Sequence, residues 1–201
     1  MKYTVIIFTL LATNAGAQTY KDSIALHRKH YKEEFITEER SPLKGNDTSF
    51  LRFYEPNKKY RVVADFILTP DSPSFDMPTH SGKTKKFRQY GIAHFSIGHK
   101  TVSLRVYQNL KLLEDEKYKN HLFISFTDAT AYTETYAGGR YIDLETTDVK
   151  NGKLVIDFNK CYNPYCMYAD GYNCPIPPVE NRLPVAIKAG EKLFAGKHKE
   201  H

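Results

Sequence analysis

The stretch Tyr90-Gly91-Ile92-Ala93-His94-Phe95-Ser96-Ile97, then Gly98-His99, then Lys100-Thr101-Val102-Ser103-Leu104-Arg105-Val106-Tyr107 decides the fold class. Successive side chains on a strand point to opposite faces, so Val102, Leu104 and Val106 share one face of the second run. Gly98 and His99 between two such runs are a hairpin signal. The same period of two recurs on both sides. Tyr60 to Leu68 places Tyr60, Val62, Ala64, Phe66 and Leu68 on one face, with Arg61 and Asp65 on the other. Phe50 to Tyr54, Leu122 to Phe126, Arg140 to Leu144 and Leu154 to Phe158 read as further extended pieces. Asn151-Gly152 lies between the last two and is the strongest short hairpin signal available. Pro70, Pro73 and Pro78 make Thr69 to Thr79 a loop, and Leu110 to Lys119 reads as a short helical connection.

Only one segment carries a period of three and four. Ile24, His27, Tyr31 and Phe35 mark an amphipathic helix from Tyr20 to about Glu39, stopped by Ser41 and Pro42. The expected fold is mainly β: one domain with an antiparallel barrel-like or sandwich sheet of about seven strands, an N-terminal helix and a long ordered C-terminal loop region.

Lys2, the apolar run Tyr3 to Ala12 and the small residues Ala15, Gly16 and Ala17 have the order of an export signal cleaved after Ala17. Asn14, Gly16 and Gln18 would end a buried helix or strand there. The apolar run is shorter than the roughly 20 residues of a membrane span, and no cysteine lies near the cleavage point to carry a lipid. The mature chain is expected to start at Gln18 and to be periplasmic or secreted, with no membrane span.

The formal charge is +6, one unit of which is Lys2. Lys83, Lys85, Lys86 and Arg88 form the dense internal cluster, which reads as a solvated loop, and Lys197, His198 and Lys199 as part of a frayed tail from about residue 195. Neither is interleaved with stacking aromatics, so no nucleic-acid partner is expected. Fifteen Tyr and twelve Phe with no Trp point to an aromatic core.

The run Asp157 to Lys192 departs from the strand pattern. Its prolines and asparagines cannot build a ladder, and its Tyr and Cys side chains are too apolar for a solvated loop. Asp157-Phe158-Asn159, Tyr162 to Cys166, Cys174 to Pro178 and Glu180 to Lys192 resemble the carboxy-terminal signature of the family catalogued as domain of unknown function 1684. Ser41-Pro42-Leu43, Tyr60-Arg61-Val62, Phe126 to Thr130 and Thr135 to Tyr141 resemble its earlier motifs. The resemblance spans nearly all of the mature chain and implies one domain, without an activity or a substrate. Cys161 stands where that pattern has a small residue such as Ala.

In an oxidising compartment Cys166 and Cys174 are expected to pair, closing a short loop for about 2.5 kcal/mol. The alternatives are a zinc site, for which no His lies within twenty residues of the cysteines, and a nucleophilic thiol needing a base. Asp128, Thr130, Tyr136, Arg140 and Tyr141, beside Gly138 and Gly139, form either an anion-binding corner or a hairpin that Arg140 braces through Asp128 or Asp143. Asp157, Asn159, Tyr162, Asn163, Tyr165, Cys166, Glu180 and Asn181 are the further candidate ligand-binding residues, with Asn163 and Asn181 also suited to bracing turns. Asp143 joins Asp157 and Glu180 as a candidate acid-base carboxylate, and His94 is a candidate base.

Arg140 is expected to approach the loop Tyr162 to Cys174 and form the main pocket with it. The leading function is a β scaffold binding a small polar or anionic ligand. The competing readings are a hydrolase-like enzyme using Cys166 or an Asp157/His94 pair, and a structural envelope protein without a pocket. No cofactor is implied, and the oligomeric state is not legible. Mass spectrometry of exported protein should give Gln18 as the first residue; an intact Met1 would refute the cleavage.

Overall fold

The computed structural model describes residues 12–200. The apolar run expected as an export signal therefore lies, up to residue 11, outside the described residues. The helix α1 spans Ala12–Thr37, longer at its start than the periodicity predicts. It runs through Asn14, Gly16 and Gln18, which were expected to end an element; a glycine inside a helix costs only about 1 kcal/mol, which neighbouring turns offset.

Seven strands follow: β1 (Arg61–Leu68), β2 (Ser74–Pro78), β3 (Thr84–Ile97), β4 (Lys100–Asn109), β5 (His121–Phe126), β6 (Arg140–Glu145) and β7 (Lys153–Asp157). They form one antiparallel sheet in the order β6-β5-β4-β3-β1-β7, with β2 laid on β3. The sheet curls into a half-barrel. The β3–β4 hairpin turns at Gly98-His99 as expected, pairing Ile97 with Lys100 and His94 with Ser103.

Three expectations change. Ser74 to Pro78 is a strand, not loop; β2 pairs only with β3, and its proline is the last residue of an edge strand, a position where the missing N–H is tolerated. Lys85, Lys86 and Arg88 consequently sit on β3, where Lys86 pairs with Asp76 at 2.8 Å and Arg88 donates to Gln108 at 2.7 Å. Phe50 to Tyr54 is no strand and makes only the single bridge of Phe53 with Glu191.

The Asn151-Gly152 turn exists, with φ of 52° and 69°, and pairs Lys150 with Lys153 through two hydrogen bonds of 2.9 Å. Yet β6 and β7 stand at opposite ends of the sheet order and do not pair. A turn fixes only the residues beside it. Here the short 3-10 turn Thr146–Asp148 lies between β6 and that hairpin, so the strands stay apart.

The concave face is the core. Val62, Ala64 and Phe66 of β1, Leu104 and Val106 of β4, Leu122 and Ile124 of β5, Ile142 of β6 and Leu154 and Ile156 of β7 are buried together. Leu68, expected on the same face, is 54% exposed. Leu183, Ile187 and Ala189 of the C-terminal segment close the open side of this core. On the convex face Phe87, Tyr107, Phe123 and Tyr141 form a second cluster under β2. A third joins Phe35 of α1 to Leu43, Tyr168 and Phe194. The tail is docked, not frayed: Lys199 contacts the Asp47 carboxylate at 2.6 Å and the Pro42 carbonyl at 2.8 Å.

Gly91 marks a register shift in β3 opposite β4. A Cβ there would meet the Phe66 ring and lie 2.7 Å from the Ile67 carbonyl oxygen. Gly91→Ala should cost about 1–3 kcal/mol by overpacking, measured by denaturant unfolding; an unchanged midpoint would refute the tight approach.

Candidate functional site

The Arg140 corner is sealed inside the protein. Its guanidinium pairs with Asp128 at 2.6 Å, both side chains being 1% exposed. It also donates to the carbonyls of Ala189 (2.5 Å), Ile187 (2.9 Å) and Glu191 (3.1 Å). Asp128 accepts in turn from the Thr130 amide (2.8 Å) and hydroxyl (2.7 Å) and from the Ile187 amide (3.1 Å). Thr130 continues to Thr135 at 2.9 Å. At 1% exposure and with four protein acceptors around its guanidinium, Arg140 acts as the brace through Asp128, and its partner segment is 187–191 instead of the loop Tyr162 to Cys174. Gly139 has φ 89°, and a Cβ on it would lie 2.7 Å from the Phe126 carbonyl oxygen, which explains the glycine.

Several other candidates are braces as well. Asn181 accepts from the Arg105 amide at 2.7 Å and donates to the Arg105 and Ser125 carbonyls at 2.9 Å, tying β4 to β5. Asn159 donates to the Asn57 carbonyl at 2.9 Å. Tyr136 reaches the Cys166 carbonyl at 3.5 Å, and Glu180 lies exposed 3.8 Å from Arg105.

Of the remaining candidates, Tyr141, Asp157, Tyr162 and Tyr165 converge on a cleft of ≈ 1060 Å³ between α1, the β6 and β7 edges and the loop 162–175, while Asn163 is buried and Cys166 does not line it. Tyr141, Tyr162 and Tyr165 wall it, Asp157 lies at its β7 end, and His27, Tyr31 and Glu34 of α1 form the opposite side. The Cys166–Cys174 disulfide holds this loop, with Cα atoms 6.3 Å apart, and Tyr141 pairs its main chain with Tyr162 at 2.8 and 3.0 Å. The expected adjacency of β6 and the loop is therefore present in the backbone, while Arg140 points to the other face.

Charge in the cleft is unevenly matched. Asp143 is held by His121 at 2.8 Å and the Tyr162 hydroxyl at 2.5 Å. Asp157 accepts from Tyr20 at 3.0 Å and from the Asn159 amide at 3.0 Å. Asp148 accepts from the Glu145 amide at 2.8 Å. Asp157 also lies 3.9 Å from the Arg61 guanidinium, whereas Lys85, Lys150 and Lys160, and Glu34 among the carboxylates, make no ion pair among the described residues. Lys85 is half-buried, and burial alone lowers its pKa. Burial, reinforced by Lys160, also holds His27 below the usual imidazole range.

Beneath the cleft lies a carboxylate the sequence reasoning missed. Glu191 is fully buried and accepts from Tyr168 (2.7 Å), Tyr31 (2.9 Å) and the Asn163 amide (2.9 Å). Three neutral donors favour the anion, but burial outweighs them and pushes the carboxyl up to about 7. The Asn163 side-chain oxygen beside it is buried without a partner. Glu191 lies within the quoted motif Glu180 to Lys192, and an acid between Gly190 and Lys192 gives no pattern that distinguishes it from a surface residue. Lys85 was hidden in a charge cluster; its placement two residues from Phe87 on one strand face was the available signal.

The enzyme readings lose their residues. Cys166 is in a disulfide and Cys161 is free but buried, its thiol pushed up to about 11 by burial, so neither is a thiolate nucleophile. Asp157 faces Arg61 in β1 whereas His94 faces Asp65, four residues or about 13 Å along the strand. Among the described residues no cluster of three or more His, Cys, Asp or Glu is placed to hold a metal, and no helix is long and apolar enough to cross a membrane.

A curled antiparallel half-barrel with an N-terminal helix across its open edges is the class of structure that these elements define. The chain belongs to the family described as protein of unknown function DUF1684, which residues 48–192 match. The fold is similar to the solution NMR structure of the uncharacterized protein from gene locus rrnAC0354 of Haloarcula marismortui. The two share 27% identity with a TM-score of 0.68, over 89% of this chain and 97% of that one. No curated protein matches the chain.

Glu191 gives the fold a pH dependence. Its carboxyl is raised from 4.5 to about 7 in the folded state, so the folded protein binds the extra proton. Stability is then fullest below the unfolded value, falls as pH rises through the window to about 7, and is flat above it. Relative to Glu191→Gln, the wild type should lose on the order of 3 kcal/mol between about pH 4 and about pH 8. Parallel stability curves for the two proteins would refute this.

Proposed function

We propose that this is an exported binding protein that takes a small polar or anionic ligand in the cleft between α1, the β6 and β7 edges and the disulfide-held loop. Lys85 carries the reading. An ammonium half out of water without a counter-ion is costly unless a partner arrives, and Lys85 faces a cleft walled by Tyr141, Tyr162 and Tyr165. Aromatic walls with a few polar groups are the usual make-up of a small-molecule site. The cations Lys150 and Lys160 strengthen the attraction for an anion, because Asp143, Asp148 and Asp157 already accept hydrogen bonds from the protein.

The export part rests on the order of charge, apolar run and small residues at the N-terminus, and on the Cys166–Cys174 disulfide, which persists in oxidising compartments. The candidate ligand-contacting residues narrow to Tyr141, Tyr162, Tyr165 and Asp157, with Lys85 added. Arg140, Asp128, Thr130, Asn159, Asn163 and Asn181 hold the surrounding structure.

Binding raises the melting temperature by mass action. Inorganic phosphate and simple monocarboxylates such as acetate and benzoate, each titrated against the mature protein, should include at least one that raises it. Lys85→Met should abolish the shift while leaving the unliganded protein as stable or more stable, since a partly desolvated charge is removed. A shift retained in Lys85→Met, or the absence of any shift, would overturn the reading.

A further inference from the structure

The strands that wall the cleft also present main chain to it. Residues along an antiparallel strand direct their N–H and C=O groups alternately to one side and the other. In β6, Tyr141 exchanges both main-chain bonds with Tyr162, and the Glu145 amide is taken by Asp148. The odd-numbered residues of β6 therefore face away from β5 and toward the cleft. Asp143 lies between those two, and among the described residues its N–H and C=O have no hydrogen-bond partner in the protein.

The facing strand has the same property. Lys153 exchanges its main-chain bonds with Lys150, while the Gly152 carbonyl accepts from the Phe66 amide of β1 at 2.8 Å. Even-numbered residues of β7 thus face β1, and Val155 turns its N–H and C=O to the cleft, again without a protein partner among the described residues. Asp143 and Val155 both line the same cleft, which therefore has one donor and one acceptor free on each of the two strand edges that border it.

We propose that the ligand is a short extended peptide with a free carboxyl terminus, its main chain bonding to the edges at Asp143 and Val155 and its carboxylate meeting Lys85. This rests on the cleft reading above and narrows it. A simple anion satisfies Lys85 and leaves both edges unpaired, whereas an extended backbone supplies donors and acceptors at the spacing of a strand. The terminal carboxylate complements the uncompensated ammonium. The volume of ≈ 1060 Å³ reaches the upper end of small-ligand sites, roughly 300–1,000 Å³, leaving room for side chains against Tyr162 and Tyr165.

Calorimetric titration of the mature protein with Ala-Phe-Ala, its C-terminal amide, its form N-methylated at the central amide, and sodium acetate tests the proposal. The free tripeptide should bind tightest. Amidation should weaken it about tenfold or more by removing the charge, and N-methylation about fivefold by removing one main-chain donor. Lys85→Met should reproduce the loss from amidation. Val155→Pro removes the cleft-facing N–H and should weaken the tripeptide without affecting acetate; the N-methylated ligand asks the same question of the unaltered fold and side chain. Acetate binding as tightly as the tripeptide, or indifference to N-methylation, would overturn the peptide and leave the cleft reading standing. No binding of acetate or of any tripeptide would overturn the peptide proposal, and the wider anion panel then decides the cleft reading separately.

Discussion

The buried Arg140–Asp128 pair is the constraint on which the arrangement depends. Two charges at 1% exposure lose their hydration, and their mutual attraction alone seldom offsets that loss. The balance is met here by three carbonyls from residues 187–191 on the guanidinium and by the amide and hydroxyl of Thr130 on the carboxylate. That requirement positions the C-terminal segment over the open side of the half-barrel, where Ile187 and Ala189 complete the core. It also places Glu191, whose carboxylate holds Tyr31 of α1. The wall that α1 contributes to the cleft is thus connected, through one carboxylate and one segment, to an ion pair on the opposite face of β6.

How much of this could be read from the residues depends on the range of the interaction that decides each element. The β3–β4 hairpin and the buried faces of β1 and β4 follow from period-two alternation, a local property. β2 was missed because Pro70, Pro73 and Pro78 signal loop, and only its place on the sheet margin makes Pro78 compatible with a strand. The Asn151-Gly152 turn was correctly located, but the separation of β6 from β7 depends on sheet order, which no local signal carries. In the site, Tyr141, Tyr162, Tyr165 and Asp157 reach the cleft because the loop 162–175 is adjacent to the β6 edge. Arg140 precedes Tyr141 and so faces the opposite way; alternation along β6 already separates the two, although they were grouped together. Lys85 and Glu191 owe their character to burial by segments far away in sequence.

The disulfide and the tyrosines act together on the loop that borders the cleft. Tyr165 packs edge-on to Tyr172 at 5.2 Å and tilted against Phe35 of α1 at 5.6 Å, so the loop between Cys166 and Cys174 is fixed both covalently and by ring packing. A wall immobilised before any ligand arrives reduces the ordering cost of binding.

The sequence separation of the Arg140 contacts bears on how the molecule comes to be folded. Its carbonyl acceptors lie 47 to 51 residues downstream, beyond the last strand of the sheet. A polypeptide that emerges from its N-terminus cannot satisfy that guanidinium until residue 191 has been made, and contacts closing long loops form late. Until residue 191 appears, burying Arg140 beside Asp128 leaves most of its donors unmatched, and the concave face of the sheet has no cover. The ion pair and the cover of the concave face are therefore completed together, by the arrival of one segment.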